Sequence, residues 1–104
     1  MTLTVDQLDA LFRADKMGTH GQLTGKTVII QGMVTKVFVR DHIDVRYIML
    51  DGMKKKGAWS VRCVFEKAAV NQLAHLEKGQ PAAIQGKYDG FSKNIILKDC
   101  TLAS

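Results

Sequence analysis

From Lys26 onward, apolar and polar positions alternate over short runs and do not follow helical spacing. Thr27 to Val39, Ile43 to Leu50 and Trp59 to Phe65 read as strands. Glu66 to Leu76 then reads as a short helix, and Ala82 to Tyr88 and Asn94 to Leu102 as two further strands. In the first strand Val28, Ile30, Gly32 and Val34 point one way, and Ile29, Gln31, Met33 and Thr35 the other. Gly32 in mid-strand fits a sharply coiled barrel strand, where a missing side chain permits the bend. Near Thr35 and Lys36 the alternation slips toward Val37 and Val39, which predicts a bulge. In the third strand Val61, Cys63 and Phe65 share one face, with Ser60, Arg62 and Val64 on the other. The second strand leaves its sides open, because Val45, Tyr47 and Met49 compete with Ile48 and Leu50 for the core.

The N-terminus follows helical spacing instead. Thr4, with Gln7 three positions later, fits a capping box, and Leu3 and Leu8 stand where a hydrophobic staple would close. Val5, Leu8, Leu11 and Phe12 fall on one helical face. Residues 5 to 16 are therefore expected to form an amphipathic helix docked on the barrel; the other reading of the stripe is a partner-binding helix. Gly18 and Gly21, around Thr19 and His20, are expected to end it in a flexible turn. One domain spans 1–104, divided into helix and turn (1–22) and barrel (23–104).

Strand, strand, strand, helix, strand, strand is the chain order of an OB-fold. The fold class expected is thus all-β with two short helices: a five-stranded Greek-key barrel. The first strand should pair with the fourth, and the internal helix should plug one end through Val70, Leu73 and Leu76. Such a barrel usually offers one face and its loops to an oligomeric ligand.

Charge narrows the partners only a little. The formal charge is +5 and the sequence pI about 9.4, which attracts nucleic acid, anionic lipid or an acidic protein surface. No apolar stretch approaches the roughly 20 residues of a membrane-spanning helix. Met1 to Leu11 lacks a basic start and carries Asp6 and Asp9, unlike a secretory signal. The expected compartment is the cytoplasm; a leader removed ahead of Met1 would mean export.

Catalytic chemistry finds little to stand on. His20, His42 and His75 are scattered singly, and Cys63 and Cys100 form no CxxC, so no metal is expected. No nucleophile elbow, P-loop or dinucleotide fingerprint occurs, Gly86 and Gly90 being too isolated to cradle phosphate. The chain is expected to need no cofactor and to catalyse nothing. Cys63 and Cys100 fall on strands that become neighbours when the barrel closes, so they form either a disulfide or two buried thiols. The missing leader favours thiols.

A candidate interface can be drawn from basic and aromatic residues. Lys54, Lys55 and Lys56 stand in a row on the loop beside the second and third strands. Arg62 should point outward from the third strand, and Arg46 or Tyr47 from the second. Arg40 and Lys93 lie at the two hairpin turns. Phe91, beside Gly90, is either folded back over the barrel or offered as a stacking platform, while Trp59 reads as a core plug. Single-stranded nucleic acid, held by cations on phosphates and rings on bases, is the partner this pattern suggests. A protein-interaction or cell-envelope module is the alternative, and an oligosaccharide or small-ligand binder the third.

Leu23 to Leu102 resembles the tRNA-anticodon-binding-like OB family of small bacterial proteins. The residues that carry it are Gly25-Lys26, Val28-Ile29-Ile30-Gln31-Gly32-Met33-Val34 and Val61-Arg62-Cys63-Val64-Phe65. Leu76-Glu77-Lys78-Gly79-Gln80, Ile84-Gln85-Gly86 and Leu97-Lys98-Asp99-Cys100 extend it. These are mainly fold-determining positions. The resemblance implies an OB barrel with a leading helix and, by analogy, nucleic-acid binding. Several relatives look like exported lipoproteins, whose leader and lipid-attachment cysteine this sequence lacks.

Overall fold

The computed structural model describes residues 1–54 and 57–103. Its elements are β1 (Thr2–Thr4), α1 (Val5–Ala14), α2 (Lys16–Leu23), β2 (Thr27–Arg40) and β3 (Val45–Asp51). Then come β4 (Val61–Val64), α3 (Val70–Leu73), β5 (Pro81–Phe91) and β6 (Ile95–Leu102). Strands β2 to β6 close a five-stranded OB barrel. Strand β2 is long enough to serve two partners: its first half pairs antiparallel with β5, its second half with β3. The circuit is completed by β3–β4, by the parallel pair β4–β6 and by β6–β5. The pairing of β2 with β5 is the expected one between the first and fourth barrel strands.

Alternation dictates what is inside. Val28, Ile30, Val34, Ile48, Leu50, Val61, Cys63, Ile84, Ile95 and Leu97 are all buried. Gly32 sits among them because a Cβ there would come within 2.7 Å of Val5 Cγ2 and 2.8 Å of the Asp51 carbonyl oxygen. The bulge falls between Val34 and Lys36, where the sequence slips. The internal helix is shorter than the pattern suggests: Lys67–Ala69 form a 3₁₀ turn and only Val70–Leu73 are α-helical. It still packs Leu73 and Leu76 into the core, with half-buried Val70 against it.

Other departures lie in the N-terminal segment and the turns. Residues 2–4 are a strand, β1, parallel to β2 in the register Thr2 to Ile29 and Thr4 to Gln31. The capping box forms as expected, Thr4 Oγ1 accepting from the Gln7 N–H and Gln7 Oε1 from the Thr4 N–H. The buried face of α1 is Val5, Leu8, Asp9 and Phe12; Leu11, expected there, is exposed. Gly18 and Gly21 do not end the helical segment. The break comes at Asp15, whose carboxylate accepts from the Gly18 N–H and so starts α2. Thr19 then donates to the Leu11 carbonyl, tying α2 back onto α1. The described residues form three short α-helices where two were expected. Between β2 and β3, Asp41–Ile43 form a 3₁₀ turn, so β3 begins at Val45 and not at Ile43. Trp59 and Ser60 precede β4 as loop residues.

Candidate nucleic-acid interface

The open side of β3 is settled by register. Val37 lies opposite Ile48 and Val39 opposite Arg46, with these inward. Phe38 opposite Tyr47 and Lys36 opposite Met49 therefore point outward. On β4 the partners of Tyr47 and Met49 are Val64 and Arg62, which continue the outer face. One surface thus carries Lys36, Phe38, Arg40, Tyr47 and Arg62.

These side chains are in contact. The Phe38 and Tyr47 rings stack with centroids 5.0 Å apart and planes 18° from parallel. The Arg40 guanidinium lies over Phe38 at 4.8 Å and the Arg62 guanidinium over Tyr47 at 4.5 Å. Lys36 Nζ is 5.2 Å from the Phe38 centroid and 5.6 Å from that of Tyr47. A cation lying over a ring face leaves N–H groups at its edge; Arg40 uses one of its own, Nη1 donating to the Val39 carbonyl at 2.9 Å. Among the described residues, none of these three cations has a carboxylate partner.

Arg46 differs in every respect. Its side chain is 3% exposed, and it donates from Nε to Asp41 (2.8 Å) and from Nη2 to Asp44 (2.7 Å). Its hydrogen bonds to Asp44 and Asp41 raise its pKa against the opposing effect of burial. Of Arg46 and Tyr47, the two candidates for the outward side of the second strand, Tyr47 takes it and Arg46 turns inward, where it clamps the 3₁₀ turn and is neutralised by the two acids.

Phe91 is folded back. Its ring meets Phe12 (5.6 Å), Trp59 (5.7 Å) and His20 (5.4 Å), all edge-on, with Lys16 Nζ 5.4 Å from its centroid. Trp59 and Phe12 pack at 5.2 Å in the same group, which seals α1 onto the barrel. Tyr88 joins through His20, whose Nδ1 is 2.7 Å from the phenol oxygen. Of the two readings of Phe91, the structure places it in the intramolecular one.

The basic loop is moored to α1. The Asp6 carboxylate accepts from the Met53 N–H (3.0 Å) and the Lys54 N–H (3.5 Å). Buried Asp9 accepts from the Trp59 N–H at 2.9 Å and from Arg13 Nε at 2.9 Å. Ser60 donates to Asp51 across the base of the loop. Lys54 is exposed; Lys55 and Lys56 lie outside the described residues.

Hollows flank the barrel, two of them lined by described residues that bear on the site. One of about 260 Å³ is lined by Arg62, Ser92, Lys93, Asn94 and Ile96, and so adjoins the stacked rings. The other, about 440 Å³, lies by His75, Gln80 and Pro81 and, among the described residues, has no lysine, arginine or large aromatic ring in its wall. Size alone favours the second; charge and ring chemistry favour the first.

Phe38 and Lys36 escape a reading by composition. Their signal is the bulge: once Val37 and Val39 turn inward, Lys36, Phe38 and Arg40 must face out. The structure brings Arg40, Tyr47 and Arg62 together with them and Lys93 beside them, and leaves Arg46 and Phe91 elsewhere.

The fold and this surface define a small OB barrel with a cation-flanked aromatic face. The chain belongs to the tRNA_anti-like family, which matches residues 1–101. A structure from Klebsiella pneumoniae subsp. pneumoniae, of a protein its name proposes to be a nucleic acid-binding lipoprotein, superposes with a TM-score of 0.83. It is 17% identical and the match covers 100% of this chain and 92% of that one, a likeness that shows the fold. None of the functionally curated proteins matches the sequence.

Proposed function

We propose that this protein is a non-catalytic module that binds single-stranded nucleic acid with little sequence preference, on the outer face of β2, β3 and β4. The observation that carries this is the contact row Arg40, Phe38, Tyr47, Arg62 with Lys36 beside it. Stacked rings accept any base, because every base has a π-face, and neighbouring cations neutralise the backbone. A base can stack on the guanidinium plane that caps each ring. In a duplex the bases already stack on one another and cannot reach these rings, so the face favours single strands. The name of the Klebsiella protein agrees with this reading. Fluorescence anisotropy with labelled single-stranded and duplex DNA and RNA tests it. Single strands should bind more tightly than duplex, with the affinity falling as salt rises. Equal binding of duplex, or no binding of single strands at low salt, rejects the reading.

A protein-interaction role in the cell envelope is the second reading. The lipoprotein name of the Klebsiella protein and Ile43, 57% exposed at the β2–β3 turn, favour it. For location we propose the cytoplasm, supported by two free buried thiols. Among the described residues no helix is long and apolar enough to cross a membrane.

A further inference from the structure

The hollow next to Arg62 has a chemistry of its own. Arg62 and Ile96 are register partners on the parallel pair β4–β6, so their side chains stand side by side on the outer face. The β5–β6 hairpin forms the wall. Gly90, at φ +89°, lets β5 depart from regular pairing between Tyr88 and Phe91, which swings the hairpin tip. The tip is then fixed by the Ser92 N–H donating to the Asn94 carbonyl at 2.9 Å, and the Ile95 N–H donating to the Ser60 carbonyl at 3.0 Å. Lys93 is left exposed on the rim, with Ser92 and Asn94 in the wall.

Arg62 is the unusual member. It is half-buried, yet among the described residues its guanidinium donates no hydrogen bond and has no ion-pair partner, and its Nε is enclosed without an acceptor. The inward arginine, Arg46, shows what a buried guanidinium ordinarily takes here: two carboxylates. A partly desolvated cation without a counter-charge is costly unless an anion arrives. The walls offer a second cation in Lys93, a hydroxyl in Ser92 and an amide in Asn94, and among the described residues no acid.

We propose that this groove is an anion subsite that takes one phosphodiester of the bound strand, while the adjoining base lies on the Tyr47 side of Arg62. The inference rests on the nucleic-acid reading for its ligand. Arg62 and Lys93 supply charge; Asn94 and Ser92 donate to phosphate oxygens, and Ile96 is the apolar floor. At about 260 Å³ the groove is smaller than the roughly 300 to 1,000 Å³ of sites that enclose whole drug-sized ligands. It therefore suits one group of a longer ligand. Arg62 joins the two halves of recognition, its face on a ring and its edges on a phosphate.

Two measurements on the full chain test this. In a nitrogen–proton correlation spectrum titrated with inorganic phosphate, the Arg62 Nε–H and the amides of Ser92, Lys93 and Asn94 should shift saturably. Sodium chloride of equal ionic strength should leave them in place. In the anisotropy assay, Lys93→Ala should reduce the salt slope for a labelled oligothymidylate by about 0.7. Asn94→Ala should weaken binding by about tenfold, as loss of a hydrogen bond to a charged group does. Lys87→Ala, a change at an exposed lysine on β5, serves as the control and should alter neither. Groove signals that stay fixed in phosphate, or move equally in chloride, overturn the subsite. Oligothymidylate bound without any effect of Lys93→Ala and Asn94→Ala also overturns it, and leaves the nucleic-acid reading standing. Saturable phosphate shifts without oligonucleotide binding support the anion subsite and remove nucleic acid as its ligand.

Discussion

Phe38 on β2 and Tyr47 on β3 are register partners, and their rings stack at 5.0 Å with planes 18° apart. Cross-strand aromatic pairs steady a sheet, but this one faces outward and is flanked by Lys36, Arg40 and Arg62. Replacing either ring with Ala should weaken single-strand binding by about 1 to 3 kcal/mol and leave the salt slope nearly unchanged, because stacking releases no counterions. The double variant should lose less than the sum, since each ring orders the other. Anisotropy titrations at several salt concentrations measure both quantities.

Lys36 and Arg40 should behave in the opposite way. Each is exposed and, among the described residues, free of a carboxylate. Lys36→Ala and Arg40→Ala should each lower the slope of log affinity against log salt by about 0.7, for every sequence alike. A sequence-dependent loss would mean base reading, contrary to the function proposed.

Phe91→Ala should change stability and not recognition. The ring closes a group with Phe12, Trp59 and His20, so its removal leaves a void under α1. For a half-buried aromatic the cost should be about 1 to 3 kcal/mol, below the roughly 3 to 5 of fully buried rings. Urea denaturation gives that number, and the folded variant should bind single strands as the wild type does.

The barrel was legible because its strands alternate cleanly and its breaks carry Gly, Asp and Lys. The order of elements, the pairing of β2 with β5 and the bulge near Thr35 all follow from that pattern. What stayed hidden has a common cause: polar side chains that work inside the fold. Arg46 lies inward because two acids from the adjacent turn meet it there, and no spacing rule separates it from Tyr47. Asp9 takes the helix position that Leu11 should hold because a loop N–H needs an acceptor. Asp15 restarts the helix where two glycines suggest a stop. Of the candidate interface, Tyr47, Arg40, Arg62 and Lys93 were readable one by one; Phe38 and Lys36 needed the inward turn of Val37 and Val39.

Asp9 offers the clearest stability test. Its carboxylate, 3% exposed, binds the Trp59 N–H and Arg13, and fills the space beside Gly57. Asp9→Ala leaves the Trp59 N–H without its acceptor and should cost about 1 to 3 kcal/mol. Asp6→Ala, at a half-buried carboxylate holding the Met53 N–H, should cost less. Urea midpoints of the two variants give the comparison.

Cys63 and Cys100 are buried, free thiols on the parallel pair β4 and β6. Burial first, and then a hydrogen bond with Cys100, push the Cys63 thiol well above its ordinary value; burial also raises Tyr88. Both are acids whose neutral form the fold prefers, so their folded pKa values exceed the unfolded ones. The Cys63 contribution is complete below the unfolded thiol value of about 8.5 and that of Tyr88 below the unfolded phenol value of about 10; each is lost as pH rises beyond that point, where the unfolded chain ionises first. The urea midpoint should therefore fall between about pH 8.5 and 10, with Cys63 contributing up to about 1.4 kcal/mol per pH unit. Cys63→Ala lowers stability at every pH by opening a cavity, but it should flatten this decline. Titration of the unfolded, unreduced protein should find two thiols. Finding none would make the pair a disulfide, move the protein to an oxidising compartment and give the cell-envelope reading the lead.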